Sequence, residues 1–149
     1  MSCASFEKSL IQKISARLAP AAPGVQIQVH QGGRKISDVT IGETYPYYDL
    51  ASLTKIIFTV QAMMKAFDED RWNLKTRVKE ILPWYPEEKT LLIQLLNHSS
   101  GLPWWFPFFE KVDLKTSSLN KWTESAKFIR DMEISEDDKS VYSDVGFIL

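Results

Sequence analysis

The chain has 149 residues, 44% of them hydrophobic and 25% charged, with a formal net charge of -1, which is the balance of a folded globular domain rather than a disordered tail. Acidic and basic residues are interspersed, so no single-sign field draws the chain to nucleic acid or to an anionic membrane. Cys3 is the single cysteine and there are two histidines, which excludes an internal disulfide and a thiolate or imidazole zinc cage; no metal or other cofactor is expected.

At the start, Phe6, Leu10, Ile14 and Leu18 recur at i+4 spacing with Ile11 beside them. This is the stripe of an amphipathic helix, with Ser5 as its N-cap and an end before Pro20. Glu7, Lys8 and Lys13 interrupt what would have to be the apolar core of a signal peptide, and no uncharged stretch is long enough to span a bilayer. As written the chain reads as cytoplasmic, or as periplasmic or extracellular if a leader has been removed. Val25, Ile27 and Val29 then alternate with Gln26, Gln28 and His30, the pattern of an antiparallel strand with one buried face. Gln31-Gly32-Gly33-Arg34 supplies a tight turn. Val39 and Ile41 resume the alternation while Ile36 is out of phase, so the second strand carries a bulge or starts late.

From Leu53 the period changes. Leu53, Ile56, Ile57, Val60, Met63, Met64 and Phe67 fall at three- and four-residue intervals, which predicts a strongly apolar helix ending near Asp68 to Asp70 and central to the core. Val78, Ile81 and Leu82 form a helical turn before Pro83, and Leu92, Leu95 and Leu96 another, capped by Thr90 and closed by Gly101 and Pro103. The run Pro103-Trp104-Trp105-Phe106-Pro107-Phe108-Phe109 is too proline-interrupted for regular structure, and a further helix is expected over Trp122 to Met132.

The chemistry concentrates at Ser52-Leu53-Thr54-Lys55. A serine hydroxyl is a weak nucleophile unless a neighbour takes its proton, and a lysine does so only with a pKa lowered by burial or nearby positive charge. If Ser52 opens the helix, Ser52 and Lys55 lie on the same side and within reach of each other. The helix N-terminus adds backbone N–H groups near the reacting oxygen. Alone, this spacing recurs by chance, and its plain reading is a capping serine beside a solvated lysine.

Its surroundings change that reading. Tyr48 to Lys55, at the head of the most apolar helix and just after a hairpin, resembles the nucleophile helix of the β-lactamase and penicillin-binding-protein superfamily, in its class C-like branch of β-lactamases, D-alanyl-D-alanine carboxypeptidases, D-aminopeptidases and carboxylesterases. Leu95-Leu96-Asn97-His98-Ser99-Ser100-Gly101-Leu102-Pro103 resembles the segment that follows that helix, and Leu74 to Pro83 its lead-in. Tyr142-Ser143-Asp144 resembles the tyrosine-x-asparagine element.

The resemblance implies an α+β fold of the β-lactamase/transpeptidase type. Residues 1–48 would be the N-terminal helix and hairpin of its antiparallel sheet, and residues 49–149 most of its all-helical part, with the C-terminal strands missing. It implies Ser52, Lys55 and Tyr142 as catalytic residues, acting through a Ser52 acyl-enzyme on a small ester, amide or β-lactam. Asp144 would contact substrate; standing where the family has an asparagine, it accepts hydrogen bonds but does not donate unless protonated. His98 invites a Ser–His pair, but family members shuttle protons with lysine and tyrosine, which leaves it a turn-fixing role.

The family also uses a downstream lysine- or histidine-x-glycine strand, which lends a donor to the oxyanion hole. The expectation is therefore a chain inactive on its own, whose partner is a missing C-terminal half of the same domain. The final Val145, Phe147, Ile148 and Leu149 fit this, reading as an apolar helix cut before its cap. Other readings stay open: a noncatalytic binding or regulatory module on the same fold, or a helix-capping serine in an unrelated helical protein. Trp104 to Phe109 could line a cleft, touch a membrane surface or pack internally; packing is favoured because five tryptophans in so short a chain must mostly be buried.

Overall fold

The structure, a computed structural model, describes residues 3–18, 21–137 and 139–149. The chain divides into two compact units, Met1–Asp49 and Leu50–Leu149. In the first, helix α1 (Cys3–Leu18) precedes strands β1 (Gly24–Gln31) and β2 (Arg34–Gly42) and packs against β2. Ser5 lies inside α1 rather than at its cap, because the helix already begins at Cys3; Pro20 lies outside the described residues.

β1 and β2 form a two-stranded antiparallel sheet. The turn between them turns on Gly32 (φ +55°) and Gly33 (φ +75°), the pair of positive φ angles that a two-residue hairpin loop demands. Val25, Ile27 and Val29 are half-buried and alternate with exposed Gln26, Gln28 and His30. The register shifts by one residue where Val29 opposes Ser37 and His30 opposes Lys35, so Ile36 is the extra residue of a bulge. The shift returns Val39 to the covered face and leaves Ile36 exposed.

The second unit is helical. After a turn at Ala51 and Ser52, six residues, Lys55–Val60, wind as a π-helix that continues into α2 (Gln61–Asp68). Short helices follow: α3 (Val78–Ile81), α4 (Leu92–Leu96), α5 (Phe108–Lys111), the longer α6 (Ser118–Arg130), and α7 (Val145–Ile148). Val78 N–H donates to the Thr90 carbonyl and Leu92 N–H to that of Thr76, each at 2.9 Å, which ties the starts of α3 and α4 together. Thr90 therefore does not cap α4. Its side chain is buried, and the Gln94 carboxamide instead reaches back to accept the Leu91 N–H at 2.7 Å. α5 makes the end of the aromatic run regular, since Pro107 tolerates a place before a first helical turn. α6 begins four residues before the expected Trp122 because the Ser117 hydroxyl accepts the Asn120 N–H at 3.3 Å.

The core of this unit gathers Val78, Tyr85, Leu95, Leu102, Ile129 and Val145, with Phe106 and Phe108 packed against it. The expectation that the Leu53–Phe67 stretch is central fails. No residue of Lys55–Asp68 is buried, and Ile56 (60% exposed) and Phe58 (62%) face outward, because among the described residues no layer covers them. The aromatic run splits, with Phe106 and Phe108 packed while Trp104, Trp105 and Phe109 are exposed. Among the described residues no helix is long and apolar enough to cross a membrane.

Candidate active site

Ser52, Lys55, Tyr142 and Asp144 all belong to the second unit and meet at one place. Leu53, Thr54 and Lys55 donate their N–H groups three residues back, to Leu50, Ala51 and Ser52, so the chain coils tightly into the helix from the serine onward. That winding sets Lys55 Nζ 3.2 Å from Ser52 Oγ. Ala51, just before the serine, holds φ +43°, a left-handed conformation uncommon for a residue with a Cβ. The Tyr142 hydroxyl, 90 positions along the chain from Ser52, donates to the same Oγ at 2.7 Å. Lys55 Nζ also donates to Asp144 Oδ1 at 2.6 Å and lies 5.1 Å from the centre of the Tyr142 ring.

Residues 140–144 are held by a strap of bonds to residues 97–104. Val141 N–H donates to the His98 carbonyl and Asp144 N–H to the Trp104 carbonyl, both at 2.9 Å. His98 Nδ1 accepts the Ser143 N–H at 3.0 Å, and its ring lies 4.6 Å from that of Tyr142 and 5.1 Å from that of Phe147. His98 thus contacts the tyrosine and the backbone beside it, and no hydrogen bond joins it to Ser52. Ser143, only 1% exposed, donates from its hydroxyl to the Pro103 carbonyl at 2.8 Å and accepts the Gly146 N–H at 3.1 Å. Sequence reasoning passed over Ser143, whose only signal was its place between Tyr142 and Asp144. Gly101 (φ +75°) lets Ser135 bond to this loop, its N–H donating to the Gly101 carbonyl at 2.9 Å, because a Cβ at Gly101 would stand 2.2 Å from the Ser135 carbonyl oxygen.

The electrostatics follow from these contacts. Burial pulls the Lys55 ammonium down, but its hydrogen bond to Asp144, then that to Tyr142, and the charges of both outweigh this and hold its pKa above the ordinary lysine value. The Tyr142 hydroxyl is shifted the other way, below the usual tyrosine range, by hydrogen bonds to Lys55 and then Ser52 and by the lysine charge. The rule that a proton-accepting lysine needs a lowered pKa is therefore unmet, and the group drawn toward ionisation is the tyrosine. A cavity of about 490 Å³ opens over Ala51, Ser52, Ile56, Leu96, Tyr142 and Phe147, its lining apolar except at Ser52, Lys55, His98 and Tyr142. Among the described residues no cluster of three or more His, Cys, Asp or Glu side chains could hold a metal ion.

Comparison with known proteins gives two findings. A family model described as Beta-lactamase matches residues 10–149. A curated relative, an N-acetylmuramyl-L-alanine amidase of Bacillus subtilis, is 26% identical over 166 aligned positions, which take in 93% of this chain. The chain spans 38% of that relative's length.

Proposed function

Because the chain belongs to the β-lactamase family, as the match over residues 10–149 shows, we propose that it carries the acylation centre of a serine hydrolase: Ser52 the nucleophile, Tyr142 its proton acceptor, Lys55 the cation that keeps Tyr142 acidic, and Asp144 a substrate contact. The observation that carries this reading is the convergence of Tyr142 Oη and Lys55 Nζ on Ser52 Oγ, at 2.7 and 3.2 Å. Once the phenol is ionised, the same short contact conducts the Ser52 proton to the Tyr142 oxygen. The Oγ then bonds to the substrate carbonyl carbon, and the bond to the leaving group breaks as that group takes the proton from Tyr142. Water repeats the exchange, giving its proton to Tyr142 as its oxygen bonds to the acyl carbon, and Tyr142 passes that proton to Ser52 Oγ as the bond between Oγ and the acyl carbon breaks and the acid leaves. Lys55 remains charged throughout, held so by Asp144.

The bond cleaved is a carboxylic amide, with esters as faster-reacting surrogates. The amidase relative supports the amide, and the cavity's apolar walls suit an acyl chain. A fluorophosphonate probe on the full-length protein, with peptide mapping, tests the reading. Label is expected on Ser52 and absent from the Ser52→Ala variant. A folded, unlabelled protein would overturn it in favour of a noncatalytic binding module.

A further inference from the structure

One residue of the neighbouring loop holds the Tyr142 segment at three points. The His98 carbonyl accepts the Val141 N–H at 2.9 Å, His98 Nδ1 accepts the Ser143 N–H at 3.0 Å, and the imidazole lies 4.6 Å from the Tyr142 ring. The two bonds grip the residues on either side of Tyr142, and the ring contact falls on Tyr142 itself. From this segment Tyr142 Oη reaches Ser52 Oγ at 2.7 Å. The Nδ1 bond differs from the other two because it exists in one protonation state alone. A ring nitrogen that accepts a hydrogen bond carries no proton, so His98 is neutral here, with its hydrogen on Nε2. A proton taken from solvent onto Nδ1 would set two donors against each other at the same 3.0 Å. Ser143 is only 1% exposed, so solvent does not replace the lost acceptor, and a buried N–H without a partner is costly. The ionisable groups on the elements around His98 are Tyr142 and Asp144 on the held segment and Lys55 across the shared cavity; α4 and α7 carry none. An imidazolium would add a second cation beside Lys55, whose ammonium already takes up Asp144 at 2.6 Å.

We propose that His98 is a positioning residue for Ser52 acylation: its neutral imidazole keeps Tyr142 on the Ser52 hydroxyl, and protonation of Nδ1 releases the segment and stops acylation in a folded protein. The inference rests on Tyr142 accepting the Ser52 proton. Acylation then requires two groups to be deprotonated, Tyr142 as the acceptor and His98 as the clamp that aims it. His98 touches neither Ser52 nor a leaving group and transfers no proton; it acts through the tyrosine. Asparagine is the variant that isolates this role. Its Oδ1 offers an acceptor where Nδ1 stands, it takes up no proton, and it tolerates the φ of +61° at this position.

Two measurements on the full-length protein, made over one pH series, test this. Long-range proton–nitrogen NMR follows the His98 ring, whose signals are those missing from His98→Asn. Fluorophosphonate labelling of Ser52 is timed by mass spectrometry, with tryptophan fluorescence reporting that the fold is intact. The ring is expected as the Nε2-protonated tautomer until it titrates. As pH falls, labelling should slow about tenfold per unit while one of Tyr142 and His98 must lose a proton, and about a hundredfold per unit below both titrations. One of the two breaks should coincide with the uptake of the proton by His98. His98→Asn should lose that break and keep the shallower dependence throughout, whatever its absolute rate. His98→Ala, with no acceptor, should lose the break as well and label more slowly at every pH, by about tenfold or more. An Nδ1-protonated tautomer, a ring that stays neutral until the protein unfolds, a titration with no break in the labelling rate, or a break that survives in His98→Asn each overturns the inference and leaves the Ser52 reading standing. If the probe does not modify Ser52, or if Tyr142→Phe labels as the unaltered protein does, the functional reading falls and this inference with it.

Discussion

At the scale of single residues, Ser52 and Lys55 stood out in advance because a serine three residues before a lysine is a local sequence fact, and Tyr142 because its surroundings resemble a family motif. The direction of the Lys55 shift was not. Burial alone, which an apolar helix suggests, lowers a lysine pKa; the opposing influence comes from Asp144, 89 residues away in the chain. A testable consequence follows from the sign. Tyr142 must be ionised to accept a proton, and its pKa is depressed, so acylation should rise with pH through a limb below the ordinary tyrosine value of about 10. Lys55→Met removes the largest lowering influence and should move that limb upward, slowing acylation near neutral pH by on the order of a hundredfold. Stopped-flow acylation rates across pH check this; a limb that does not move would assign the proton to another group. Tyr142→Phe should erase the limb.

Among the elements, the hairpin was legible because period-two alternation, two adjacent glycines and one out-of-phase isoleucine each have a single cheap backbone solution. The positions where the backbone departs from the cheap solution were not: the π-helical turn after Lys55, Ala51 at φ +43° and His98 at φ +61°. Such conformations persist only where surrounding contacts over-determine them, and at His98 those contacts come from Tyr142, Ser143 and Phe147, distant in sequence. Thr90 failed as a cap for the same reason, since its pairing with Val78 draws it inside. Gly101→Ala should destabilise the second unit by about 2 kcal/mol or more, from left-handed strain and collision with Ser135. His98→Ala should cost about 1–3 kcal/mol through the unpaired Ser143 N–H. Urea unfolding followed by tryptophan fluorescence measures both.

For the whole molecule, hydrophobic periodicity identified a helix but not what covers it. The apolar stripe of Leu53 to Phe67 looked like a core and is open, whereas Ile129, on a less apolar helix, is fully buried. Periodicity reports that a face is apolar; only the packing partner makes it interior. Ile129→Ala should therefore cost about 2–5 kcal/mol, whereas Phe58→Lys should leave the stability of the 149-residue chain within about 0.5 kcal/mol and reduce its self-association in light scattering. The strap between residues 97–104 and 140–144 has a separate consequence for chain connectivity. Tyr142 and Asp144 are stationed by bonds to a neighbouring loop and by a serine plugged beneath them, and the exposed stretch at residues 113–115 supplies none of those bonds. A polypeptide opened there could be supplied as two pieces that reassemble around the same serine.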